Sequence, residues 1–285
     1  VKSVILSDTY NQPQAVSTGS GSASYDAVNN IVDVYEQTGI YNSSSVPYTG
    51  KHTAVAVLDS GFDCSHDVFN QHQPDKNTLL LTRERIQELL DAKTNDYVKG
   101  DEGKWVLDEN GNPTIAKNVP LLNAARYTSG VTINDLYYTD KIPFVYDYAD
   151  KDVDVFPYDS EHGTHVAGII GGQAVSNTGD EGIDFTGIAV DTQLVLMKVF
   201  PDLDAGGRTE DILLALEDAV KLGVDAINMS LGSSCGFSRE VDKVEVNYVY
   251  DQIKASGIAL VTAASNSYSS GFGGDQGNTN FVTNP

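Results

Sequence analysis

The sequence predicts an α/β fold, a doubly wound and mostly parallel sheet with helices on both faces. Four short apolar runs rich in β-branched residues, at 53–59, 193–199, 225–229 and 258–262, read as strands buried on both faces. Between the last three lie stretches with helical apolar spacing, and strands alternating with helices at this distance make parallel βαβ units. The first run ends on Asp59 and the fourth leads into Asn266, which sets polar groups at the carboxyl ends of strands, where open α/β sheets carry their functional crevice.

Residues 1–50 are polar, with serine and glycine concentrated around 17–24. Residues 1–6 fit a short strand, and 27–37 a helix whose apolar face is Val28, Ile31, Val32 and Tyr35, with Gly39 as its C-cap. Residues 70–140 read as a surface insertion. They hold a polar helix at 83–93 and a hairpin signal at Asn110-Gly111, between Trp105-Val106-Leu107 and Thr114-Ile115-Ala116. Thr209 opens a helix with Ile212, Leu213, Leu216, Ala219 and Val220 on one face and Gly223 past its end; a second helix, 239–256, is closed by Gly257.

The 285 residues suffice for one large domain with a well-buried core. The net charge of −22 opposes binding to nucleic acid phosphates and to an anionic membrane surface. No run of apolar residues is long enough to span a bilayer. Two cysteines, Cys64 and Cys235, allow one disulfide at most and read as packing thiols.

The chemistry begins with Asp59 and His162. A carboxylate at a strand end is costly unless its charge is used, though capping the turn with Ser60 and Gly61 is a structural use. His162 opens the stretch His162-Gly163-Thr164-His165-Val166-Ala167-Gly168, a helix whose small residues permit close packing. An imidazole there serves as general base if a carboxylate fixes its tautomer. His165 is assigned a structural place, and a zinc pair with His162 has the wrong spacing and no third ligand. Asn266 ends a strand as an amide able to donate to an oxyanion. Ser230-Leu231-Gly232 follows another strand and suits pairing with an extended peptide. Gly232-Ser233-Ser234-Cys235-Gly236 matches a nucleophile elbow, but that fold needs its histidine after the serine, and all five histidines precede Ser234.

Asp59-Ser60-Gly61, the His162–Gly168 stretch, Asn228-Met229-Ser230-Leu231-Gly232 and Ala263-Ala264-Ser265-Asn266 together resemble the subtilisin-like serine proteases, in that family's order, from about residue 25 onward. The long stretch before His162 and Phe144-Val145-Tyr146-Asp147-Tyr148 are most similar to the Gram-positive cell-envelope proteinases, the lactocepin and complement-cleaving type. The resemblance implies that Asp59 orients the base, His162 is the base and Asn266 helps form the oxyanion hole. It implies that Ser230, Leu231 and Gly232 line the substrate cleft, with Ala263 and Ala264 near the main specificity pocket. Two departures stand out. Ser265 replaces the family's glycine before the oxyanion asparagine, and 103 residues separate Asp59 from His162 where the minimal fold has about 30. Structural calcium is common in the family, but no ligands here can be matched and no cofactor is assigned.

The family's nucleophile motif is absent from these residues. The expectation is therefore an amino-terminal piece of a catalytic domain (25–285, preceded at 1–24 by an extension or propeptide remnant). Its partner would be a carboxy-terminal fragment of the same protease carrying the serine, its substrate a polypeptide, and its location secreted or cell-wall associated. The alternative is a catalytically inactive subtilase-fold module that binds peptides.

Overall fold

The computed structural model describes the backbone of residues 9–11, and residues 48–100, 104–174, 185–203, 206–232 and 244–263 in full. In chain order its first elements are β1 (Thr9–Asn11), β2 (Ala54–Asp59), α1 (Asp67–Asn70), α2 (Arg83–Asp91), β3 (Lys93–Tyr97), β4 (Ile115–Pro120), α3 (Asn123–Tyr127), α4 (Ile133–Leu136) and β5 (Phe144–Asp147). They are followed by α5 (His162–Gly171), β6 (Gln173–Ala174), β7 (Phe185–Thr186), β8 (Gln193–Lys198), β9 (Gly206–Arg208), α6 (Thr209–Leu222), β10 (Ala226–Met229), α7 (Val244–Ser256) and β11 (Ala259–Thr262).

The central sheet has the order β11-β10-β2-β8-β5, with every pair parallel. Alternation along β2 explains why it needs cover on both sides. Ala54, Ala56 and Leu58 enter a core shared with α2, α3, α6 and α7, whereas Val57 enters a second core shared with α1 and α5. Helices therefore lie on both faces, the doubly wound arrangement expected from the strand pattern. From β2 the chain moves out to β5 and back to β8, then crosses to β10 and β11. The sheet thus turns in opposite directions on the two sides of β2, and the carboxyl end of that strand is where open α/β sheets carry their functional crevice.

The four expected strands form at 54–59, 193–198, 226–229 and 259–262. The fifth, β5, was missed because Phe144-Val145-Tyr146 is too short a run to stand out; all four of its residues are buried. The helix at 83–93 stops at Asp91, and Lys93 starts β3, which pairs antiparallel with β4. The Asn110-Gly111 turn forms, with Gly111 at φ +81° and one antiparallel bridge, Leu107 to Pro113. The helix from Thr209 ends as its sequence indicates, with Gly223 left-handed at φ +76° and its N–H donating to Ala219 and Val220. The helix assigned to 239–256 is described from Val244 to Ser256. The expected strand at 1–6 and helix at 27–37 lie outside the described residues.

A buried carboxylate ties the region between β2 and β5 to the sheet's helices. Asp218 on α6 has no solvent exposure and accepts from the N–H groups of Asn123 (2.8 Å) and Ala124 (3.0 Å) and from the Tyr148 hydroxyl (2.9 Å). It thereby satisfies the first amides of α3, which has no side-chain cap of its own.

Candidate active site

The strand registers bring five strand ends into one row. Leu58 lies beside Met229, and Met229 beside Thr262; Asp59 lies beside Lys198, and Lys198 beside Asp147. One residue further along, Ala263, Ser230 and Asp59 follow those aligned residues, so the row reads Ala263, Ser230, Asp59, Lys198, Asp147 across the carboxyl edge. Three of the residues singled out from sequence therefore share one edge of the sheet.

Asp59 shares a sheet face with Val57, the face that carries α5. Its side chain is fully buried, and its Oδ1 accepts the N–H of Ser60 at 2.7 Å. His162, the first residue of α5, brings Nδ1 to 2.8 Å from the same oxygen. An ionised carboxylate only accepts, so Nδ1 carries the hydrogen and Nε2 is left with the lone pair a base needs. The His162 side chain is 19% exposed, enough to reach a reacting group while the aspartate stays dry. The other oxygen, Asp59 Oδ2, has no partner among the described residues.

Local packing holds this pair together. A Cβ on Gly163 would lie 2.3 Å from the Gly61 carbonyl and 3.0 Å from Asp59 Cβ, so only glycine lets α5 approach β2 this closely. Gly61 sits at φ +148° against Pro157. Ser60 Oγ donates to the Ser160 carbonyl at 3.0 Å, and Thr164 Oγ1 accepts the Asp63 N–H at 2.9 Å. Each contact spans the long stretch between Asp59 and His162, so the intervening chain loops out without separating the two.

Ser230 leaves the end of β10 with its Oγ accepting from Asn228 Nδ2 at 3.0 Å. Leu231 is buried in the first core and Gly232 is half-buried. Ala263 donates its N–H to Met229 O at 3.1 Å, which extends the β10–β11 pairing past the strand ends. Ala264, Asn266, Ser234 and Cys235 lie outside the described residues. His165 is exposed on the outer side of α5. Cys64 is buried, and burial pushes its thiol up to about 12, so it packs as an inert side chain.

Sequence reading missed the charge at Lys198. Its ammonium is buried at the end of β8, 2.6 Å from Asp147 Oδ2, bonded also to Asp202, and 3.8 Å from Asp150. These three carboxylates have metal-like spacing, their ligand atoms lying within 4.8 Å of one another. They do not fit a calcium ion, because the lysine already fills the place a cation would take. The signal was a single lysine closing the apolar run Leu194-Val195-Leu196-Met197, paired in space with the acid-rich stretch 147–154.

Comparison with known proteins gives this geometry its class. The model of the Subtilase family (Peptidase_S8) matches residues 50–284, and the chain belongs to that family of serine peptidases. It is 30% identical over 233 residues to the PII-type proteinase of Lacticaseibacillus paracasei, covering 80% of this chain and 10% of that protein. It is 31% identical over 226 residues to a C5a peptidase of Streptococcus pyogenes, covering 79% and 16%. Among solved structures it is similar to fervidolysin of Fervidobacterium pennivorans, a keratinolytic enzyme related to subtilisin, at 16% identity and a TM-score of 0.43, over 77% of this chain and 22% of that one. The chain thus spans a sixth or less of the length of the curated relatives it matches.

Proposed function

We propose that these residues form the amino-terminal part of the catalytic domain of a secreted or cell-wall-associated serine endopeptidase. The observation that carries this reading is the Asp59–His162 contact at the carboxyl edge of the sheet. In this reading His162 Nε2 takes the proton of a serine hydroxyl as that oxygen attacks a peptide carbonyl, then gives the proton to the departing amine. Asp59 holds the imidazole in the required tautomer and stabilises the imidazolium. Asn266 donates to the oxyanion, and the serine comes from a downstream segment or second chain. Ser230, Leu231, Gly232, Ala263 and Ala264 line the substrate cleft.

Strand pairing supports a polypeptide substrate. β9 lies outside the central sheet and pairs antiparallel with β1, Thr9 opposite Arg208 and Asn11 opposite Gly206. An edge that accepts this short segment offers an extended substrate the same main-chain hydrogen bonds. Residues 1–24 are then an extension or propeptide remnant, and the catalytic domain starts near residue 25. No described helix is long and apolar enough to cross a membrane. A binding module would have no use for a buried carboxylate fixing an imidazole tautomer, and that favours the enzyme. The test is peptide hydrolysis by the protease that carries this domain, with and without covalent capture of its serine by a fluorophosphonate. Hydrolysis blocked by the probe is expected; stable peptide binding without turnover would establish the binding module instead.

A further inference from the structure

We propose that Lys198 is a positioning residue for peptide binding: its buried ammonium clasps the segment leading into β9 to the end of β5, and so holds β9 where an extended substrate needs it. This rests on the protease reading above, in which β9 is the edge that a substrate joins.

β9 has little to fix its own place. It is three residues long, begins Gly206-Gly207, and among the described residues has only β1 as a strand partner. Glycines contribute no side chains to hold a strand in position. Its location is set by what flanks it. Downstream, Thr209 starts α6 immediately. Underneath, Gly207 sits so close to Phe200 that a Cβ would meet the ring at 2.8 Å. Upstream, four residues before Gly206, stands Asp202.

Asp202 is bound twice. Its carboxylate accepts from Lys198, and its N–H donates to Asp150 Oδ2 at 2.8 Å. Asp150 belongs to the turn after β5, and that turn is itself pinned: Asp147 Oδ1 accepts the N–H groups of Ala149 (2.8 Å) and Asp150 (3.0 Å). Lys198 Nζ therefore joins the end of β5 to the segment that enters β9. The lysine side chain is 2% exposed and Asp147 1%, whereas Asp202 is 32% exposed. A buried ammonium needs its carboxylates, and three carboxylates this close need the ammonium. Lys198 also lies in register beside Asp59, so the clasp and the candidate catalytic acid spring from neighbouring strand ends.

The experiment compares two peptide substrates of the intact protease, a short one spanning only the residues beside the scissile bond and one extended by four residues on its amino-terminal side. Asp202→Ala is the main variant, because it opens the clasp on its exposed side and leaves Lys198 paired with Asp147. It should raise KM for the long peptide about tenfold, the effect of losing one charge-assisted hydrogen bond, with kcat unchanged. The short peptide should keep both constants. Lys198→Arg should keep the long-peptide KM, and Lys198→Met should lose it. Equal losses on both peptides, or no change on the long one, would overturn the proposal. Should the parent protein bind peptides without cleaving them, the same comparison read by fluorescence anisotropy still decides: weakened binding of the long peptide alone supports the clasp, and any other pattern refutes it, whatever becomes of the protease reading.

Discussion

His162 Nδ1 lies 2.8 Å from Asp59 Oδ1, although 103 residues separate the two along the chain. The fully buried carboxylate fixes the hydrogen on Nδ1, as any well-placed acceptor can, and, unlike a neutral group, also stabilises the charge when Nε2 takes a proton. Asp59→Asn keeps the shape and removes that control. It should lower kcat by about 10⁴-fold with little change in KM, as measured on a peptide substrate.

Gly163 makes the contact sterically feasible. Gly163→Ala would place a methyl group 2.3 Å from the Gly61 carbonyl. The helix α5 must then move off β2 and carry His162 away from Asp59. The expected cost is about 1–3 kcal/mol of stability together with a loss of activity larger than that destabilisation explains. Denaturant titration and steady-state kinetics on the same variant check both parts.

The carboxylate of Asp218 holds the inserted region to α6. Asp218→Ala would strand the N–H groups of Asn123 and Ala124 and the Tyr148 hydroxyl in a buried place. It should cost about 3 kcal/mol or more, read as a lowered unfolding midpoint. Asp218→Asn, which keeps one acceptor oxygen, should cost less.

Lys141 makes stability depend on pH. The side chain is buried, and its ammonium donates to the Val190 (2.7 Å) and Thr192 (2.8 Å) carbonyls without a carboxylate bonded to it. Burial, opposed in part by Asp191, lowers its pKa to about 7. Between about pH 7 and pH 10 the unfolded chain then holds a proton that the folded chain has released, so stability should rise with pH across that window and level off below it. Lys141→Met should flatten the rise. Unfolding midpoints at pH 7 and 9.5, compared between the parent and the variant, test this.

Much of the fold was legible because its strands are short apolar runs and its helices end on recognisable glycines. Thr53 to Asp59 announced β2, and Gly223 announced the end of α6. The pairing of β3 with β4 was not legible, since Lys93-Thr94-Asn95-Asp96-Tyr97 has neither apolar alternation nor burial to mark it. Asp59 and His162 stood out because their neighbours are small residues at strand and helix ends. Lys198 did not, since a buried lysine is recognised by its partners, and Asp147, Asp150 and Asp202 come from two separate parts of the chain.

His162 is the residue on which the proposed proton transfer depends. The measurement is peptide hydrolysis by the protease that carries this domain, before and after His162→Ala, with folding confirmed by thermal unfolding. Hydrolysis should fall by at least about 10⁴-fold, to the level left by the oxyanion donors and binding alone. A folded His162→Ala protein that still cleaves peptides at the parent rate would contradict the assignment of Asp59 and His162 as the acid and base of the site.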